Sequence, residues 1–263
     1  MKKKNCLWIV LTGIASFFIC CTGTDESSIA FDNISVEKTV SITKEADAPS
    51  CHVKLELAAA KKGKDSAAKA INDVLVQELF CMENLTLKQA ADSFANSYTR
   101  SYVTNFAPLY REDRDDPAKR AWYEYHYYIS SEMQSGKEGV TVYTTTLDYY
   151  EGGIHGINQR LVFNFDNNSG KHLKIQDIFV PGHEQQLNDL LLEKLLEKTG
   201  SKNVDELRNR GYLYSMDMFA PENFILGKND ITFIYNPYEI ASYAMGMVEL
   251  ELTYDELENI LKK

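Results

Sequence analysis

The chain has 263 residues, of which 44% are hydrophobic and 25% charged, which is typical of a globular protein with a sizeable core. The length allows one large domain or two small ones. The formal net charge of −10 argues against a nucleic-acid partner, because such binding needs a positive surface against the phosphates. A basic protein partner would instead be attracted.

The first 21 residues predict an export signal. Lys2, Lys3 and Lys4 precede an uncharged run, residues 6–21, which is shorter than the roughly 20 apolar residues that span a membrane. Cys21 follows the small residue Cys20 and so fits the lipidated cysteine of a bacterial lipoprotein. Ordinary secretion and a short membrane anchor are the alternatives. Residues 22–48 are polar and predict a flexible tether, within which residues 34–40 are strand-like.

Cleavage before Cys21 would remove three lysines and no acidic residue, so the mature chain would be still more acidic. We expect an outer-membrane lipoprotein of the cell envelope, facing the periplasm or the outside and touching the membrane through its lipid. Asp25 and Glu26 resemble the surface-export signal of Bacteroidetes lipoproteins.

Residues 49–150 predict an N-terminal module of helices and strands. Residues 51–59 are strand-like, and residues 65–81 place apolar side chains at helical spacing. Thr86 and Gln89 form a capping box that opens a second helix, which continues to about residue 106. A charged loop follows at residues 111–120. The period then changes to two, which predicts strands at 122–133 and 139–150.

Residues 151–263 predict a C-terminal module that packs with the first as one unit. The capping box of Thr253 and Glu256 predicts a short C-terminal helix. Helices come first, then an antiparallel meander, then another helix, which is an α+β pattern with helices packed against an antiparallel sheet. The other predicted elements are a strand at 158–166, a helix at 184–198, and strands at 231–235 and 246–252.

Two cysteines remain beyond the leader, Cys51 and Cys81. The strand from Cys51 advances about 25–30 Å and the following helix returns about 25 Å, so both cysteines are expected at one end of a strand–helix hairpin. In an oxidising envelope they could form a disulfide, and two buried free thiols are the alternative.

Several segments, most of them in the C-terminal half, match a known signature. They are Tyr-Glu-Gly-Gly-Ile-His-Gly at 150–156, Phe-Asn-Phe-Asp at 163–166, Ser-Gly-Lys at 169–171, Ile-Gln-Asp-Ile-Phe at 175–179, Asn-Phe-Ile-Leu at 223–226, Tyr-Glu-Ile-Ala at 238–241 and Tyr-Ala-Met-Gly at 243–246. Together they resemble the extracellular domain family of RsiV-type anti-sigma factors, which also accompanies the catalytic domain of PdaC-type peptidoglycan deacetylases. Ile154 stands where that family usually has alanine.

The resemblance implies an α/β envelope module that binds lysozyme in RsiV-type members. Only five residues precede the hydrophobic run, and the chain has no room for an added catalytic domain. We therefore expect the extracellular module alone, on a lipid anchor.

A loop framed by glycines holds His155. Gly152 and Gly153 permit positive φ, and Tyr150 and Glu151 stand beside them. In the functional interpretation His155 contacts a ligand, or exchanges protons with Glu151 as a partner carboxylate. In the structural interpretation the loop is a glycine-shaped crossover, and His155 bonds to the main chain.

The aromatic strand is the strongest predicted binding feature, because tyrosine and tryptophan supply rigid amphipathic contact area. Alternation places Trp122, Glu124, His126 and Tyr128 on one face and Tyr123, Tyr125, Tyr127 and Ile129 on the other. The alternative is that one face simply packs on helices. The predicted ligand-binding residues are Tyr150, Gly152, Gly153, His155, Trp122, Tyr125, Tyr238 and Glu239.

No cofactor or metal site is expected: His183-Glu184 lacks the second histidine of a zinc motif, since Leu187 occupies its place. The leading hypothesis is a lipid-anchored envelope recognition module that binds a lysozyme-like protein or cell-wall glycan. The alternatives are a glycan- or peptide-active envelope enzyme that uses His155, which is less favoured, and an envelope scaffold protein.

Overall fold

The computed structural model describes residues 29–61 and 65–262. The predicted α+β class is confirmed: helices pack against a mostly antiparallel sheet of six strands, and a second sheet has three. None of the helices within the described residues is both long and apolar enough to cross a membrane. In chain order, the strands and helices are β1 Phe31–Ser41, β2 Ser50–Ala60, α1 Asp65–Phe80, α2 Leu87–Asp113, α3 Pro117–Arg120, β3 Tyr125–Ser135, β4 Val140–Tyr150, β5 Ile157–Asp166, β6 His172–Leu173, α4 Ile175–Ile178, α5 Glu184–Thr199, α6 Val204–Asn209, β7 Phe224–Leu226, β8 Asp230–Tyr235 and β9 Val248–Thr253.

The larger sheet has the order β1-β2-β3-β4-β5-β6. Strands β2 and β3 are parallel, because α1 and α2 form the crossover between them, and the other neighbours are antiparallel. On β2, Cys51, Val53, Leu55 and Leu57 alternate with exposed polar residues and are buried in one core with α1 and α2. This helix-covered side of the sheet is its inner face.

Helix α2 begins as predicted and ends later than predicted. The Thr86 side chain accepts from the Gln89 backbone while the Gln89 side chain accepts from the Thr86 backbone, which completes the capping box. The helix continues through Pro108 to Asp113, because Tyr110 is buried in the core. The predicted charged loop at 111–120 is therefore wrong: it contains the end of α2 and the short helix α3.

A second core forms between β7–β9, α5 and one end of the outer face of the large sheet. Val140 and Val142 of β4 and Val162 of β5 are buried in it. We call these three residues the covered end of the outer face. His126 and Tyr128 on β3 and Asp148 and Tyr150 on β4 lie on the same face and keep solvent access; we call them the open end.

Three predicted boundaries differ from the structure. Strand β1 confirms the strand predicted at 34–40 but extends over residues 31–41 of the predicted tether, since Val36 and its neighbours complete the core edge. Strand β5 follows the predicted module boundary yet pairs with β4, so one sheet crosses that boundary. Thr253 and Glu256 form the predicted capping box, but turns follow it instead of a helix.

The predicted disulfide is absent, because the two cysteines face different environments. Cys51 is fully buried on the inner face, Cys81 is exposed after the end of α1, and both thiols are free. Burial raises the pKa of the Cys51 thiol to about 12, so this cysteine is a core residue. The predicted leader and Cys21 lie outside the described residues.

Candidate functional site

Strand register builds the open end from distant parts of the chain. Thr39 of β1 lies opposite His52 of β2, His52 beside His126 of β3, and His126 opposite Tyr150 of β4. Because alternate residues share a face, this row crosses four strands on the outer face, with adjacent strands about 4.8 Å apart. The next row includes Tyr128 opposite Asp148 and Asp148 opposite Asn158.

Three rings stack at the open end. The His126 ring lies 4.8 Å from that of Tyr128, at an interplanar angle of 20°, and 6.2 Å from that of Tyr150, at 27°. His126 Nε2 is 2.8 Å from Asp148 Oδ1, which fixes the imidazole between the tyrosines. Tyr128 is 40% exposed, so its ring offers a flat face to solvent while its orientation is already fixed.

His155 is locked in place by its neighbours in the loop after β4. Its Nδ1 lies 2.9 Å from the Gly156 carbonyl oxygen, and its Nε2 lies 2.9 Å from the Tyr238 hydroxyl. Since a carbonyl can only accept, Nδ1 carries the proton of the neutral ring and Nε2 accepts from Tyr238. The imidazole also stacks on Tyr243, with centroids 3.8 Å apart at 13°. We call His155, Tyr238 and Tyr243, together with the fully exposed Ile154, the loop cluster.

The suggested acid–base pair of His155 and Glu151 is not formed. Glu151 instead accepts a hydrogen bond of 2.7 Å from the Tyr98 hydroxyl of α2, while both ring nitrogens of His155 bond to other groups. Burial, followed by the bond to Glu151, raises the pKa of Tyr98. Glu151 therefore ties the loop to α2, and the main-chain bond of His155 agrees with the structural interpretation.

The loop glycines hold the chain close to the start of β3. Gly152 and Gly153 have φ of 82° and 99°, and a Cβ on Gly152 would lie 2.8 Å from the Trp122 carbonyl oxygen. The Tyr150 hydroxyl donates to the Gly153 carbonyl at 2.9 Å and closes the loop. Trp122 is 53% exposed beside it, so the predicted residues Trp122, Tyr150, Gly152 and Gly153 do come together.

Two predicted ligand-binding residues are structural. Tyr125 is only 8% exposed, and its ring packs against Tyr102 and Phe106 on the inner face. Its predicted role in binding is wrong, because alternation turns it towards α2. The half-buried Glu239 accepts from the Asn236 backbone at 2.9 Å, and burial raises the pKa of its carboxyl. This bond helps to shape the turn that presents Tyr238, whose φ is 74°.

His126, Asp148 and Tyr243 are not among the predicted ligand-binding residues. Alternation already placed His126 on one face with Trp122 and Tyr128, but only strand register brings Asp148 and Tyr150 next to it. Tyr243 reaches His155 through a contact between residues 88 positions apart. Within residues 29–61 and 65–262, no group of three or more His, Cys, Asp or Glu side chains is placed to hold a metal ion.

Comparisons with known proteins place the chain among uncharacterised relatives. Residues 176–255 match a family model described as "Protein of unknown function (DUF3298)". A solved DUF3298 member from Bacteroides fragilis NCTC 9343 is similar at 30% identity and a TM-score of 0.82, over 90% of this chain and 94% of that chain. A DUF3298 protein from Pseudomonas aeruginosa PAO1 shares the fold at 19% identity and a TM-score of 0.58, over 89% of this chain and 95% of that one. No curated protein matches the chain.

Proposed function

The chain belongs to the DUF3298 family, whose function is unknown, and we propose that it is a recognition module of the cell envelope that binds a protein ligand through the loop cluster. One observation carries the proposal: His155, Tyr238 and Tyr243 are fixed by stacking and hydrogen bonds beside the fully exposed Ile154. Rings that are already fixed lose little entropy on binding, and the exposed Ile154 next to His155 adds apolar area to bury, which is typical of an interface hot spot.

Electrostatics favour a basic protein as the ligand. The formal net charge of −10 attracts cationic partners from solution. The resemblance to RsiV-type extracellular domains makes lysozyme the first protein to test. Binding is proposed here in preference to catalysis, because Glu151 and both ring nitrogens of His155 are engaged in bonds that position the loop.

Calorimetric titration with lysozyme at low and raised salt tests this function. We expect binding that weakens as salt screens the charges, and an affinity loss of about tenfold or more for Ile154→Lys, which places a charge of the ligand's own sign at the centre of the interface. Tyr214→Ala is the matched control, since Tyr214 is exposed to 81% outside the loop cluster. An absence of heat at both salt concentrations would remove lysozyme as the ligand, whereas equal affinities for Ile154→Lys and the control would remove the loop cluster as its binding site.

The envelope location forms part of the proposal and depends on Cys21. Growth with a labelled fatty acid should mark the chain, and Cys21→Ser should lose the label. A wild-type chain that stays unlabelled would contradict the lipid anchor without bearing on the binding surface.

Cell-wall glycan is the second candidate ligand, and the ring stack at the open end favours it. Tyr128 presents a flat face next to the hydrogen-bonding groups of Asp148 and Asn158. Such an arrangement suits a ligand with both apolar faces and hydroxyls. Retention of the chain on purified cell-wall glycan, reduced in Tyr128→Ala, is the expected result; equal retention of both proteins would exclude the open end as the site.

A further inference from the structure

A polar trough lies where the open end of the outer face meets the covered end. Its sides come from the large sheet and from β7 of the C-terminal sheet. The lining side chains that matter here are Glu132, Gln134, Thr144, Thr146, Arg160 and Ile225. None of the five polar residues among them was singled out by the sequence patterns.

The floor of the trough is built in register across three strands. Glu132 of β3 lies opposite Thr144 of β4, and Thr146 of β4 lies opposite Arg160 of β5. Neighbouring strands are about 4.8 Å apart and same-face residues about 6.8 Å apart along a strand, so the polar groups form a flat grid.

Arg160 is fixed in position before any ligand arrives. Its guanidinium is paired with Glu249 of β9, and its side chain is 29% exposed. Its backbone N–H donates to Asn236 Oδ1 at 2.7 Å, and its carbonyl accepts from Asn223 and Asn236. Because Glu249 balances the charge of Arg160, the trough has no free cation among these residues with which to attract an anionic ligand.

The mixture of groups points to an uncharged ligand rich in hydroxyls. The threonine hydroxyls and the Gln134 carboxamide can both donate and accept, the Glu132 carboxylate accepts, and Ile225 adds an apolar wall. Tyr128 lies on the same face of β3, four residues before Glu132, so the Cα atoms of the two residues are about 13 Å apart. The ring of Tyr128 is exposed. A saccharide chain has apolar faces that stack on rings and hydroxyls that bond to such side chains.

We infer that the trough binds a neutral, linear oligosaccharide that runs along β3 and β4 from Tyr128 towards Ile225. This inference rests on the second candidate function, which is glycan binding at the open end. It adds a second part of the glycan site, beyond the ring stack. The protein ligand of the loop cluster would occupy a separate surface.

Calorimetry with two uncharged tetramers, of β-1,4-linked glucose and of β-1,4-linked N-acetylglucosamine, tests the trough. We expect at least one of them to bind and the double variant Gln134→Leu/Thr146→Val to bind it about tenfold more weakly, because it removes two neutral hydrogen-bonding groups. Thr104→Val is the control, since Thr104 is exposed on α2, outside the trough and the open end. A thermal melt shows whether each variant is folded.

Three outcomes would overturn the inference: neither tetramer binds at millimolar concentration, the folded double variant binds as tightly as the wild type, or the control loses as much affinity as the double variant. The double variant should still bind lysozyme with wild-type affinity in a separate titration. A saccharide that binds while lysozyme does not would support the trough and remove only the protein ligand.

Discussion

The two ends of the outer face of β4 differ although the same strand builds both. Val142 is fully buried against the C-terminal sheet, whereas Asp148 and Tyr150 on the same face keep solvent access. Alternation gives both ends the same orientation. What differs is coverage: β7–β9 and α5 pack on one end only, and the end left uncovered presents aromatic and hydrogen-bonding groups. One face of a single strand can thus be core at one end and open to solvent at the other.

Asparagine side chains hold the covering body, which is the part of the chain formed by β7–β9 and α5, against the large sheet. Strand β6 pairs with β5 only at Asn164 and Phe165, so much of the β5 edge needs other partners. Asn223 and Asn236 accept from the Val162 and Arg160 backbones, and Asn164 bonds to both Phe224 and Leu226 of β7. Buried backbone groups are costly when unpaired, so these amides replace a missing strand.

The largest effect is expected from charge at the covered end. Val142→Asp should lower the free energy of unfolding by about 4 kcal/mol or more, because it buries an unpaired carboxylate. Thr146→Asp places the same carboxylate on the same face of β4 beyond the cover, and should cost less than about 1 kcal/mol. Urea denaturation measures both. Similar losses in the two variants would contradict the division of the face into covered and open ends.

A smaller effect is expected at the boundary between the two bodies. Asn236→Ala should cost about 2 kcal/mol in the same measurement, since it leaves the backbone N–H of Arg160 without its partner. Asn158→Ala is the control, because the Asn158 side chain lies at the open end, where it donates to Asp148 Oδ2 at 3.4 Å. If Asn236→Ala lost less unfolding free energy than the control, water would be replacing the amide at no cost.

The pH dependence of stability should identify the contribution of Glu256 to the covering body. A hydrogen bond from Lys194, followed by one from the Thr253 backbone, lowers the pKa of Glu256 from 4.5 to about 2. A lowered folded-state pKa stabilises the protein above 4.5, and this contribution is lost as the pH falls towards 2. Because the pair is partly exposed, Glu256→Gln should cost only about 0.5–1 kcal/mol at pH 7. Near pH 2 the substitution should leave the free energy of unfolding unchanged, whereas a purely structural defect would lower it at both pH values.

The smallest effect is a difference in reactivity between the two thiols, one on the inner face and one on the exposed surface. A maleimide at pH 8 should modify Cys81 and spare Cys51, because burial raises the pKa of Cys51 to about 12 and blocks access. Peptide mapping by mass spectrometry of the folded chain, with and without urea, measures this. Protection of both residues until a reductant is added would instead indicate the disulfide.

Local sequence patterns predicted much of the fold and part of the site. Helical spacing and the Thr86–Gln89 box located α1 and the start of α2, and alternation correctly put Tyr125 and His126 on opposite faces. The same alternation could not show which of the two faces α2 covers, so Tyr125 was wrongly predicted to bind a ligand. The capping box at Thr253 also formed without a helix, because isolated helical turns gain too little from local bonds alone.

The sequence by itself determined the α+β class, the alternation of faces and the glycine-framed loop, because these depend on residues close together in the chain. Only the tertiary structure decided that His126 bonds to Asp148, that Tyr243 stacks on His155, and that the C-terminal sheet covers Val142 but leaves Tyr150 open. Those contacts join strands and turns far apart in sequence, so strand register and the packing of one body on another fix them.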